Sequence, residues 1–213
     1  DALAQEHGIP LIIDNAYGMP FPNIIYSDVT LNWHENIILC FSLSKVGLPG
    51  VRTGIIIAAP EVVKAVSSLN AIVNLSPTRF GAAIATPLLQ DGRLKQLSDD
   101  VIRPFYRNQA QTAVSLLKRE LGAYPLKIHK PEGAIFLWLW FENLPVSSQT
   151  LYEMLKAEGT LIIPGEHFFV GIDTQNYPHA HECIRMSIAQ DAQTLEKGIA
   201  AIGRVVRGLY DAA

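Results

Sequence analysis

The chain of 213 residues is short of charge and of cysteine. Lys, Arg, Asp and Glu make up 17% of it, where about 25% is usual for a soluble domain, while hydrophobic residues make up 49%. The formal net charge of −3 comes from interspersed acidic and basic residues. It leaves no basic patch with which to grip nucleic acid or an anionic membrane. A small molecule is therefore the expected partner, with no nucleic acid and no membrane. The two cysteines, Cys40 and Cys183, stand far apart in apolar runs. They do not make a disulfide framework and read as buried free thiols of a reducing, cytoplasmic setting. No apolar run approaches the ~20 residues needed to span a bilayer. Internal repeats and low-complexity tracts are absent too. No methionine opens the chain: it starts on "DALAQEHG", a helical pattern stopped by glycine. We expect from this a carboxyl-terminal piece of a longer protein, whose missing part would cover some of the apolar surface.

What is present reads as α/β architecture. "IPLIIDNAYG" is a short, continuously apolar run ending in Asp14, the pattern of a strand buried on both faces in a parallel sheet. "NIILCFSLSK" repeats the design, and "TGIIIAA" follows before Pro60 and Glu61 open a helix. From about Thr78 to Leu121 the pattern is helical, interrupted by Gly92 and Pro104. Next come two strands in "LKIHKPEGAIFLWLWF", joined at Pro131 to Gly133, and a helix around "SQTLYEMLKAEG". Strands "TLIIPG" and "CIRMSIA" and a terminal helix from "DAQTLEKGIAAIGRVVRGLY" complete the chain. We expect residues 1–95 to belong to a large domain with a mostly parallel sheet. Residues 96–213 then form a small α+β domain with a long leading helix.

Ligands of parallel sheets bind at the carboxyl ends of the strands, and two successive strands here deliver Asp14 and Lys45 to that edge. A lysine amine so placed can form a Schiff base with an aldehyde. A neighbouring aspartate can hold a pyridinium nitrogen protonated, a shift of two to three units worth roughly 3–4 kcal/mol. A pyridine-aldehyde cofactor needs both contacts. Tyr17 can meet a phenolic oxygen on such a ring. Ser42, Ser44 and Arg52 supply hydroxyls and a forked cation suited to a phosphate, and the turn "GLPG" can bring Arg52 back beside Lys45. Taken singly, each has an ordinary structural role. Lys45 can be a solvated turn residue, Asp14 a helix cap, Tyr17 a core ring and Arg52 half of a surface ion pair.

"DNAYG", "SLSKVGLPGVRTG", "GAIFLWLWF" and "CIRMSIA" resemble the class I/II pyridoxal-phosphate-dependent aminotransferases of fold type I. The longer strings "HGIPLIIDNAYGMPFPNII" and "PHAHECIRM" extend the resemblance over essentially the whole chain. It implies that Asp14 pairs with the pyridine nitrogen of pyridoxal 5'-phosphate, Tyr17 with the ring oxygen, and that Lys45 is the Schiff-base lysine. Ser42 and Arg52 are implied for the phosphate, with Ser44 a weaker candidate. Arg185 is implied for the substrate α-carboxylate, which a guanidinium grips through two parallel bonds; a strand-edge surface pair is its ordinary alternative. The implied reaction moves the amino group of valine or a similar aliphatic amino acid to pyruvate, in a homodimer. Members of the family are roughly double this length. The resemblance therefore implies that half of the cofactor site lies outside this chain and leaves its activity open. The same fold also serves carbon–sulfur lyases and transcription regulators with an aminotransferase-like domain, and an inert folded remnant is a third alternative for the isolated chain.

Two further constellations stand in the second half. "PHAHEC" puts His179, His181 and Cys183 at alternating positions, which on a strand would share a face and could hold zinc. No fourth ligand is evident and Arg185 continues the same face, so no metal is expected. "PGEHFF", residues 164–169, reads as a loop near a substrate entrance or as plain packing by Phe168 and Phe169.

Overall fold

Branched apolar residues make the strands of the first half. In a computed structural model, which describes residues 1–213, the chain divides into two units, Asp1–Phe105 and Tyr106–Ala213. The first unit opens with a short helix α1 (Ala2–Glu6) and strand β1 (Leu11–Asp14), which pairs in parallel with β2 (Ile37–Ser42). Strand β3 (Gly54–Ile57) pairs with β2 antiparallel, giving the order β1-β2-β3. The parallel expectation thus holds for the first pair and not for the second. Residues 43–53 hold only two short 3₁₀ turns, and a parallel return needs a crossover of about a dozen residues or more, usually a helix.

Side chains alternate across this sheet. Ile37, Leu39 and Phe41 are buried in one cluster with Phe21, Leu43, Val46, Ala85 and Leu94. The last two come from helices α3 (Phe80–Gln90) and α4 (Arg93–Leu97). Helix α3 comes close to the start of β3, where a Cβ on Gly81 would meet Thr53 Oγ1 at 2.1 Å. The opposite face of the sheet is open in this chain: Ile12 is 65% exposed, and Cys40 is only half-buried. The expectation of strands buried on both faces, and of a fully buried Cys40, is corrected accordingly, because helices cover one face alone. Helix α2 (Pro60–Val73) starts on its proline as expected and buries none of its residues.

Gly92, with φ of 77°, separates α3 from α4. The second interruption is a π turn, Ser98–Ile102, leading into α5 (Arg103–Leu121). Pro104 has no N–H to give the preceding turn, and a widened turn just before it lets the helical path continue.

The second unit is an antiparallel sheet in the order β4-β5-β7-β6, formed by β4 (Leu126–Ile128), β5 (Phe136–Phe141), β6 (Ile163–Pro164) and β7 (Cys183–Ser187). Its inner face puts Leu137, Leu139, Phe141, Ile184 and Met186 into one core with Leu117 and Leu121 of α5. Leu151 and Leu155 of α6 (Ser148–Ala157) join that core, as do Leu195, Ile199, Ile202 and Val206 of α8 (Ala192–Asp211). Each such side chain stabilises by about 1.5–3 kcal/mol relative to exposure. Ser147 and Asp191 cap α6 and α8 by accepting from the backbone N–H of Thr150 and Thr194 at 3.1 and 3.0 Å. Phe136, Trp138 and Trp140 alternate with this set and take the other face. The expected strand "TLIIPG" pairs only at Ile163 and Pro164, as suits an edge strand ending in proline. The histidines of "PHAHEC" lie in a helix, α7 (Pro178–Glu182), and not on a strand. Pro178 at its first position and the buried Ala180 favour that helix. No helix is long and apolar enough to cross a membrane.

Candidate active site

The carboxyl ends of β1 and β2 bring Asp14 and Ser42 to one edge of the first sheet. Asp14 Oδ1 accepts from the backbone N–H of Ala16 at 3.1 Å, which begins the turn carrying Tyr17. Asn15 N–H donates to Cys40 O at 2.8 Å and keeps that turn against β2. Asp14 stands in register with Cys40. Burial pushes the Cys40 thiol pKa up, and the negative charge of Asp14 adds to it.

Beyond β2, Ser42 caps a 3₁₀ turn, Leu43–Val46, through its hydroxyl, which accepts from Ser44 N–H at 3.2 Å. That turn carries Ser44 and Lys45 and ends on Gly47, whose φ of 94° suits glycine. A second turn, Pro49–Val51, returns the chain, and Leu43 N–H bonds Thr53 O at 3.1 Å. Arg52 therefore sits where the chain comes back to the end of β2. It does so with φ 46° and ψ 47°, a left-handed conformation that costs a non-glycine residue roughly 1–2 kcal/mol. Strain of this kind gathers at functional sites.

Lys45 Nζ lies 5.5 Å from the centroid of the Tyr17 ring. Asp14, Lys45 and Arg52 enter no ion pair, so three charged groups stand unpaired at one sheet edge. Asp14 and Arg52 are exposed and Lys45, Tyr17, Ser42 and Ser44 half-buried. A nucleophilic amine, a carboxylate, a phenol, two hydroxyls and a guanidinium are thus gathered on two loops.

Arg185 belongs to the second unit. It lies on β7, opposite Trp138 of β5 and Ile163 of β6. Its guanidinium carbon is 4.1 Å from the Phe136 ring centroid and 4.7 Å from that of Phe168. Its Nε is buried without a hydrogen-bond partner, and no carboxylate pairs with it. A cavity of about 280 Å³ adjoins it, lined also by Phe136, Trp138, Lys130 and Glu132. Neither ring was assigned a role toward Arg185 from sequence. The alternation in "FLWLWF" does place Phe136 and Trp138 on one face, but nothing local links Phe168 to β7.

The zinc alternative does not assemble. His181 is taken up by Glu166, Nδ1 to Oε2 at 2.8 Å, and by Thr174 O, 2.8 Å from Nε2. The His179 ring packs edge-on against Trp140 at 4.7 Å. Cys183 Sγ lies 3.6 Å from His179 Nε2, so two of the three side chains meet while His181 is committed elsewhere. No group of three ligating residues forms.

Residues 1–202 match the family of class I and II aminotransferases, and the chain belongs to that family. It is 48% identical over 199 residues to the valine–pyruvate aminotransferase of Escherichia coli, an alignment that takes in 93% of this chain and 48% of that enzyme. Among solved structures, a Psychrobacter arcticum protein provisionally described as an amino-acid aminotransferase superposes with a TM-score of 0.96 at 68% identity, over all of this chain and 48% of that one. The valine-pyruvate aminotransferase of Salmonella typhimurium superposes with a TM-score of 0.92 at 44% identity, over all of this chain and 55% of that one. The chain spans about half the length of the curated relatives it matches.

Proposed function

We propose that this chain supplies the lysine-bearing part of a pyridoxal-phosphate-dependent aminotransferase that moves the amino group of valine or a similar aliphatic amino acid to pyruvate. The observation that supports this reading is the unpaired Lys45 amine over the Tyr17 ring, at the sheet edge that also carries Asp14. Likeness to the E. coli and Salmonella enzymes supports the choice of substrates.

The residues present fit the cofactor in kind. When bound, pyridoxal phosphate supplies an aldehyde and an electron-withdrawing ring. Lys45 Nζ would be the nucleophile that holds that aldehyde, and its free amine would serve as the base for the proton on the substrate α-carbon. Asp14 would hold a proton on the ring nitrogen by an ion pair, and the Tyr17 hydroxyl would hydrogen-bond the ring oxygen. Ser42, Ser44 and Arg52 would bind the phosphate through charge-assisted hydrogen bonds. Arg185 binds the α-carboxylate, which donor and acceptor share, so one guanidinium serves both halves of the reaction. Assembly as a homodimer and a cytoplasmic location belong to the same reading.

The test is a nitrogen trace. With pyridoxal phosphate, ¹⁵N-valine and pyruvate, the reading expects ¹⁵N-alanine and 3-methyl-2-oxobutanoate in equal amounts, and neither from Lys45→Ala. Pyruvate and ammonia formed from a β-substituted amino acid, with no ¹⁵N-alanine formed from valine, would replace the transaminase reading with a lyase.

A further inference from the structure

Arg185 is an unusual cation for this chain. It sits on an interior strand, has no carboxylate partner, and keeps one buried N–H unpaired. What it has is two phenyl rings, one from its neighbouring strand and one from the turn Gly165–Phe168. A ring against a guanidinium attracts it and shields part of it from water while leaving the N–H edges free. We infer that Phe168, together with Phe136, is a positioning residue that holds Arg185 ready for one monocarboxylate with an apolar side chain. This rests on the carboxylate role proposed above for Arg185.

The turn that brings Phe168 is itself fixed. Trp138 meets Phe168 edge-on, centroids 5.3 Å apart at 88°. Glu166, two residues earlier, is tied to His181, and His181 in turn to Thr174. The choice of a monocarboxylate follows from the rest of the cavity. Its other cation, Lys130, is 80% exposed and paired with Glu132 at 2.7 Å. A second carboxylate on the ligand would therefore meet a lysine already paired with an acid, whereas Phe136 and Trp138 offer apolar walls.

The test reads Arg185 directly in this 213-residue chain, without cofactor. Its side-chain Nε–H signal is identified in a ¹⁵N spectrum by its loss in Arg185→Lys, and the wild type is titrated with 3-methyl-2-oxobutanoate. A saturable shift is expected, absent with the corresponding amide, and 2-oxoglutarate should bind no more tightly. Phe168→Leu should weaken binding about tenfold, equivalent to 1.4 kcal/mol, while Phe168→Tyr should stay within about twofold of wild type. The spectrum itself reports whether each variant is folded. Unchanged affinity in Phe168→Leu would overturn the positioning role and leave the carboxylate role standing. A wild type that ignores the monocarboxylate would overturn both, and markedly tighter binding of 2-oxoglutarate would overturn the monocarboxylate preference.

Discussion

A methyl group on Gly165 has nowhere to go. An ideal Cβ there would lie 2.6 Å from Cys183 O, 2.7 Å from Cys183 Cβ and 2.9 Å from Ala180 O. Two of those three atoms are backbone carbonyls of β7 and α7, which cannot rotate aside as a side chain does. In Gly165→Ala the turn Gly165–Phe168 must therefore move off β7. Overpacking of this kind costs typically 1–3 kcal/mol, and backbone neighbours place it in the upper half of that range, at about 2–3 kcal/mol. Urea unfolding followed by the fluorescence of Trp138 and Trp140, both on β5 beside the turn, should show a lower midpoint with an unchanged slope. Because the same turn carries Phe168, Gly165→Ala should also weaken carboxylate binding at Arg185, whereas a purely local packing defect would leave that affinity alone. Stability within about 0.5 kcal/mol of wild type, the usual range for an uninvolved surface position, would refute the reasoning.

Two further outcomes follow from charge and burial. The Glu120 carboxyl is held below its ordinary 4.5 by Arg207, 3.0 Å away, and then by Arg119 at 3.2 Å. A depressed folded value contributes stability above the unfolded pKa and loses it as pH falls through the folded one. Glu120→Gln should therefore flatten the acid limb of a stability curve below about pH 4.5 and leave its slope near neutrality unchanged; an unaltered acid limb would count against the pairing. Under native conditions a thiol reagent should modify half-buried Cys40 and spare Cys183, whose thiol burial has pushed up to about 11; equal rates measured by peptide mass would contradict the burial.

Much of this organisation was legible because it rests on local patterns. Apolar runs ending in Asp14 and Ser42, a proline opening α2 and a glycine between α3 and α4 each announce an element through its own residues. The placement of Lys45 and Arg52 beyond the end of β2 was legible for the same reason, both lying within a dozen residues of that strand end. Three features were not. The antiparallel pairing of β3 depends on the length of its connection, which composition does not advertise. Helix α7 was weighed only for how its alternating histidines would lie on a strand, and Pro178 was the signal that could have decided for a helix. The rings on Arg185 come from β5 and a separate turn, an encounter produced by packing and not by spacing. The open face of the first sheet was equally hidden, since "IPLIID" reads the same whether or not a second layer covers it.

The central claim is that Lys45 is the amine that captures pyridoxal phosphate. The most direct measurement is to titrate the 213-residue chain with pyridoxal phosphate, reduce with borohydride and map the modified peptides by mass spectrometry. The account predicts saturable labelling of one residue, Lys45, that falls sharply in Asp14→Ala. Labelling scattered over surface lysines, or unchanged when Lys45 is replaced by alanine, would contradict it.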